Sequence, residues 1–160
     1  MLKQLLIAGL VMTLGACATV PTVGVDVTAQ VKEVVTPPEG KSGIYVYRSN
    51  SVVGAALKKD IWIDGKCIGE SARGVVFYEE VEGDQEHIVA TESEFSPNLL
   101  TLNTEQGKNY FVQQYIKMGA FVGGANLKLV DAVEGKNAIA NLAIAQKGKC
   151  SKAYPVKQTG

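Results

Sequence analysis

From Gly43 onward the apolar positions fall into short alternating runs, the period-two pattern of half-buried strands. Ile44 and Val46 alternate with Tyr45 and Tyr47, and Ile61 and Ile63 flank Trp62. Asp64-Gly65 predicts a hairpin turn, because both residue types tolerate positive φ. Lys66 to Glu70 is then the return strand, with Ile68 inward, and Val75 and Phe77 form the next face. Gly83-Asp84 breaks the chain, and Ile88 with Ala90 resumes it. Leu100 and Leu102 alternate with Thr101 and Asn103, and Gln106-Gly107 turns again. Tyr110 to Met118 is the longest run, with Val112 and Ile116 on one face; Leu127 and Leu129 end the series. About eight short strands at roughly ten-residue spacing predict a mainly β fold, an immunoglobulin-like β-sandwich. The last segment differs. Ala138, Ile139, Leu142, Ala143 and Ile144 in an Ala-rich stretch predict one C-terminal helix over about Lys136 to Gln146, with Gly148 as its stop.

The start of the chain reads as a processing segment rather than as structure. Lys3 is the only charge before Asp26, and Leu5 to Leu14 is a predominantly apolar run. That run is too short to cross a bilayer, which takes about 20 residues. Leu14-Gly15-Ala16-Cys17 follows and resembles the bacterial lipobox, in which the cysteine receives a diacylglycerol thioether and the signal is cut just before it. The resemblance implies a lipoprotein signal peptide over 1–16 and a lipidated Cys17, with palmitate among its acyl chains. One acyl chain holds a protein to a membrane only marginally, whereas several anchor it stably. Ala18, where an Asp would signal retention in the inner membrane, favours the outer membrane facing the periplasm in a Gram-negative host. An ordinary secretory signal followed by a chance cysteine is the alternative.

Residues 17–42 then form the lipidated N-terminus and a linker, rich in Pro and Gly; its 25 residues from Ala18 would span about 28 Å as a flexible coil. Val27, Val31, Val34 and Val35 have helical spacing, while Val23, Val25 and Val27 alternate, so a short helix and a strand both remain open there. The sandwich with its helix covers 43–147, and 148–160 is a C-terminal tail.

Charge narrows the function classes. The 160 residues carry 16 basic and 16 acidic side chains. This balance gives no basic face for a nucleic-acid partner. Three cysteines and one histidine leave too few ligands for zinc, and neither a metal nor a cofactor is expected.

Several ordered pieces together resemble a known family. They are Tyr45-Val46-Tyr47-Arg48, Val53-Gly54, Ile63-Asp64-Gly65-Lys66, Met118-Gly119 with Val122-Gly123, and Leu129-Val130-Asp131. The chain resembles, over about Gly43 to Ala140, the bacterial lipoprotein family catalogued as domain of unknown function 2846. The resemblance implies a small β-rich envelope domain, often lipid-anchored, with no established activity and no catalytic residues to carry over. The stretch Glu82-Gly83-Asp84-Gln85-Glu86-His87 departs from the tighter Pro-Gly turn such domains have before the histidine.

Four sets of residues are candidates for chemistry. Cys67 and Cys150 remain once Cys17 is lipidated, and an exported chain would meet an oxidising compartment. A disulfide between them and two unpaired thiols are the alternatives. His87 is the only imidazole, without a nucleophile-elbow pattern for the serines Ser71 and Ser93. Glu79, Glu80, Glu82, Asp84, Glu86, Glu92 and Glu94 form an acidic stretch that lacks calcium-loop spacing and reads as solvated strand edges and loops. The segments Val52 to Leu57 and Met118 to Ala125 are apolar and glycine-rich where loops are normally polar. In them Val53, Gly54, Leu57, Met118, Phe121, Val122 and Gly123 are candidate interaction residues, flanked by Lys58 and Lys59. An inward fold as a minor core is the other reading of these loops.

The leading expectation is a membrane-anchored envelope lipoprotein that acts as a non-enzymatic binding module for an unknown envelope protein, glycan or lipid. Two alternatives stand beside it. A hydrolase acting on envelope material would place His87 in a concave pocket with a carboxylate at hydrogen-bond distance; a purely structural lipoprotein would need no ligand.

Overall fold

Strand β1, Lys41–Arg48, is buried along its whole length after the first residue. In a strand successive side chains point to opposite faces, so both faces of β1 must be covered. The computed structural model, which describes residues 17–24 and 35–154, shows how. The strands that follow are β2 (Lys59–Ile63), β3 (Lys66–Ser71), β4 (Val75–Glu82), β5 (Glu86–Thr91), β6 (Asn98–Asn103), β7 (Asn109–Lys117) and β8 (Gly124–Val130). Helix α1 (Ala132–Ile139) and β9 (Ala143–Ile144) complete the elements. They make a mainly β sandwich. One sheet has the order β8-β7-β1-β4-β9 and the other the order β3-β2-β5-β6.

Between the sheets, Ile44 and Val46 of β1 meet Ile61, Ile68, Phe77, Val89 and Val112 in one apolar cluster. On the far side of β1, Tyr45 and Tyr47 join Phe111, Ile139, Leu142 and Ile144 in a second cluster. The Tyr45 ring stacks on Phe111 with centroids 5.0 Å apart and planes 9° off parallel. Helix α1 and the segment after it thus cover the outer face of the five-stranded sheet. Two pairings are parallel, β1 with β7 and β4 with β9. The Asp64-Gly65 hairpin has positive φ at both residues, 51° and 77°.

The helix lies earlier in the chain than Lys136 to Gln146. The Asp131 side chain accepts from the amides of Val133 and Glu134, both at 2.9 Å, and so caps a start at Ala132. Leu142 to Ala145 is extended instead of helical. Its backbone pairs with β4, through Ala143 N to Gly74 O at 3.0 Å and Ala145 N to Val76 O at 2.9 Å. Ile139, Leu142 and Ile144 enter the same cluster, so their spacing suits either conformation. The open edge of β4 decides for the strand.

The two flanking stretches are held to the body. Thr22 bridges to Ala145, with Val23 N to Ile144 O and Gln146 N to Pro21 O at 2.9 Å, and Ala18 N donates to Ala55 O at 3.0 Å. Residues 17–24 are therefore not a free linker; residues 25–34, with their helix-or-strand alternatives, lie outside the described residues, as do the signal segment 1–16 and the last residues 155–160. At the other terminus Gly148, with φ 101°, donates to Ile68 O rather than stopping a helix. Cys150 forms a disulfide with Cys67 across 83 residues of sequence, a closure that contributes about 4.5 kcal/mol on chain-entropy grounds. The buried Asp60 carboxylate accepts from Ser151 N and Oγ at 2.9 Å and Lys152 N at 2.8 Å. Tyr154 meets Trp62 edge-on at 5.8 Å. Residues 148–154 are thus a strap on the four-stranded sheet, not a loose tail.

Gly135 marks the closest approach of α1 to its sheet. A Cβ there would stand 2.2 Å from Cγ of the buried Phe111. Helix propensity alone would favour Ala by about 1 kcal/mol, but a rigid ring cannot yield that space. Gly135→Ala is expected to destabilise the fold by roughly 1–3 kcal/mol in urea unfolding; a stabilised variant would show that the helix can lift off the sheet.

Candidate functional site

The strands deliver their connections to two ends of the sandwich. One end carries the turns 64–65, 83–85 and 104–108; the other carries the loops 49–58, 92–97 and 118–123. The second is the loop end, and both apolar segments singled out in the sequence lie there.

Buried Arg48, the last residue of β1, shapes the first loop. Burial lowers the Arg48 pKa, and two backbone carbonyls satisfy the guanidinium: Nη1 donates to Leu57 O at 2.7 Å and Nη2 to Gly54 O. The second loop is held by Glu94. Its carboxylate accepts from the amides of Ala120 at 2.7 Å, Phe121 at 2.5 Å and Val122 at 3.2 Å. Desolvation pushes the Glu94 carboxyl up, but the three amides outweigh it and leave its pKa below the ordinary range.

Glycines let the two loops share one floor. A Cβ on Gly54, whose φ is 68°, would meet Ile116 Cγ1 at 2.5 Å. A Cβ on Gly123 would meet Leu57 Cδ1 at 2.7 Å and Ile116 Cγ2 at 3.3 Å. Leu57 and Ile116 are thus turned inward between the loops. The remaining apolar residues are turned out: Met118 is 92 % exposed, Phe121 86 %, Val52 83 %, and Val53 and Val122 more than half. The loops divide between the two readings the sequence left open, a small floor inside and an apolar rim outside.

Sequence reasoning missed Phe95 and the loop-holding role of Glu94. Phe95 is 80 % exposed and its ring meets Phe121 edge-on at 6.5 Å. A lone aromatic in the polar stretch Ser93 to Pro97 was the available signal. Of the flanking lysines, Lys58 is exposed and pairs with Glu70 at 3.4 Å, whereas Lys59 is buried beside Glu92 and does not flank the surface.

Cys17 is exposed and carries a free thiol. Its neighbour Ala18 donates to Ala55 in the first loop, so Cys17 stands at the loop end too.

His87 stands at the opposite end, on β5, which turns His87, Val89 and Thr91 inward. Its Nδ1 is 2.6 Å from Asp64 Oδ2 and its Nε2 2.8 Å from the carbonyl of Glu82. Asp64 Oδ1 accepts from Ile88 N at 2.8 Å. An open cleft lined by Lys41, Lys66, Glu79 and Gln85 borders this group. With an acceptor on each ring nitrogen, the protonated imidazole is the form that satisfies both. Desolvation lowers the His87 pKa, but the bonds to Asp64 and Glu82 outweigh it and raise the value above 6.5. Ser71 ends β3 at the loop end and Ser93 lies in a loop there, so neither serine meets His87.

The acidic stretch is dispersed. Glu79 pairs with Lys66 at 2.9 Å and Lys147 at 2.6 Å, Glu82 with Lys41, and Glu92 with Lys59 and Lys152. Among the described residues no group of three or more His, Cys, Asp or Glu side chains could hold a metal.

Residues 38–125 match the family described as Protein of unknown function (DUF2846). The chain belongs to this family. The match takes in β1 to β7 and all three loops of the loop end, and stops at Ala125, before α1 and β9. A Haemophilus influenzae (strain Rd) relative, described as an uncharacterized protein, is 51% identical over 139 residues, which is 87% of this chain and 82% of the relative. No solved structure matches the chain.

Glu94→Ala removes the acceptor for three amides, so exchange of the 120–122 amides with deuterated water is expected to speed up at least about tenfold while β1 stays protected. The stabilisation from His87 is fully present below its unfolded value near 6.5 and is lost as pH rises through the higher folded value. The gap in melting temperature between wild type and His87→Gln is therefore expected to be widest at pH below about 6.5 and to shrink as pH rises above it. A gap that widens with pH would reverse the assignment of charge.

Proposed function

We propose that the protein is an envelope lipoprotein, anchored through Cys17, whose sandwich serves as a non-enzymatic interaction module. The observation that carries this reading is the state of the cysteines. Cys67 and Cys150 are bonded to each other, while Cys17, which follows the lipobox-like Leu14-Gly15-Ala16, is free and exposed. A bonded pair suits an oxidising compartment, and an accessible thiol at this position suits transfer of a diacylglyceryl group. Ala18 favours delivery to the outer membrane. The interaction surface is the loop end, where apolar side chains remain exposed on loops that Arg48 and Glu94 hold in place.

A hydrolase reading draws on one observation, the cleft in which His87 lies 2.6 Å from the Asp64 carboxylate. It is the weaker reading, because both ring nitrogens are engaged and, among the described residues, no Ser, Thr or Cys lines the cleft. Turnover of an ester or glycan substrate that His87→Gln abolishes, with folding intact, would favour it.

Labelling cells with radioactive palmitate tests the anchor. Wild-type protein is expected to take up label and Cys17→Ser to lose it, falling to below roughly a tenth of the wild-type signal. Equal labelling of the two would reject lipidation at this position.

A further inference from the structure

The loop end brings together three features that the anchoring reading alone does not require. The first is an apolar rim on neighbouring loops: Val52, Val53, Phe95, Met118, Phe121 and Val122. The second is the engagement of the carboxylates beside that rim. Glu94 is bound by three loop amides, Glu92 by Lys59 and Lys152, and Glu70 by Lys58. Exposed Lys117, directly before Met118, and the half-buried Arg73 add positive charge at the same end. The third is the position of Cys17, one residue from the Ala18 amide that donates to Ala55, in the same loop as Val52 and Val53.

From these we infer that the loop end is a membrane-contact surface, with Phe121, Met118 and Phe95 entering the headgroup and upper acyl region of a phospholipid bilayer beside the chains on Cys17. The inference deepens the anchoring reading and rests on it for the source of the tether. A partner protein could cover the same rim, but the location of Cys17 favours lipid. Consecutive Cα atoms are 3.8 Å apart, so an acylated Cys17 would bring the first loop within a few ångströms of the bilayer surface. Side chains there would meet headgroups before any partner. Exposed aromatic and sulfur-containing side chains gain by entering that interface, and nearby cations are drawn to anionic lipid. Lysines offset the charges of Glu92 and Glu70, and the Glu94 carboxylate, though still charged, is directed at three loop amides.

The test uses the free thiol to separate this inference from native lipidation. The full chain is coupled through Cys17 to a maleimide-bearing phospholipid, on vesicles of phosphatidylethanolamine and phosphatidylglycerol. A photoreactive residue replaces either Phe121 or Gln85, the latter exposed in a turn at the opposite end. Irradiation is expected to yield at least about fivefold more phospholipid adduct at position 121 than at 85. Equal yields, or an excess at 85, would overturn the inference whether or not cells acylate Cys17. A loss of palmitate labelling in the wild type would instead defeat the anchoring reading and leave this comparison standing. In intact cells, adducts at 121 that contain only a protein, or only a second copy of this chain, would also overturn the assignment to lipid.

Discussion

Every layer of this molecule depends on one strand that has no solvent-facing side. β1 places Ile44 and Val46 in the core between the sheets and Tyr45 and Tyr47 in the second cluster. The second cluster exists only because α1, β9 and Val23 close over it. A two-sheet sandwich without that cover would leave two tyrosines and a phenylalanine ring on an open sheet face, an apolar area far above what isolated surface residues present. The ends of β1 are closed differently, by polar side chains. Ser42 Oγ donates to Glu105 O at 2.8 Å at one end, and Arg48 donates to loop carbonyls at the other. The central strand therefore sets the covering layer and also anchors one loop at each end.

The two ends so defined have opposite chemistry. At the turn end, charge is organised around His87, which links the β2–β3 turn through Asp64 to the end of β4 through Glu82. At the loop end Arg48 and Glu94 hold loops, and apolar side chains stand exposed beside lysines. Arg48 and Glu94 do the same work there with opposite sign: one supplies donors to carbonyls, the other an acceptor to amides. With Leu57 and Ile116 as a floor between them, the two loops are ordered without burying Val52, Val53, Met118, Phe121 or Val122, which stay at the surface.

Most of the strand framework was legible in the sequence, because it rests on local rules. Alternation in β1, β2 and β6 and the Asp64-Gly65 turn are properties of neighbouring residues. What escaped was decided by distant partners. The helix was placed too late because Ile139, Leu142 and Ile144 fit a helical stripe, while the open edge of β4 that captured Ala143 and Ala145 left no mark near those residues. The parallel pairing of β1 with β7 joins segments more than sixty residues apart and has no turn to announce it. At the loop end, the two glycine-rich segments stood out by composition. Glu94 did not, because a carboxylate that binds backbone amides looks in sequence like any other acidic residue of a charged stretch. Phe95 was visible but had no neighbour to give it meaning until Phe121 lay beside it.

The disulfide between Cys67 and Cys150 has a further consequence for how the four-stranded sheet ends. β3 is an outer strand of that sheet, and the strap it anchors occupies part of its free edge, with Gly148 N bonded to Ile68 O at 2.8 Å. Unpaired strand edges are templates for adding another chain. Made in a reducing cytosol, the protein would keep only the hydrogen bonds of the strap to Asp60 and Ile68, and each release of the strap would present β3 as such a template. Self-association through exposed backbone, more than loss of the core, would then be its characteristic failure.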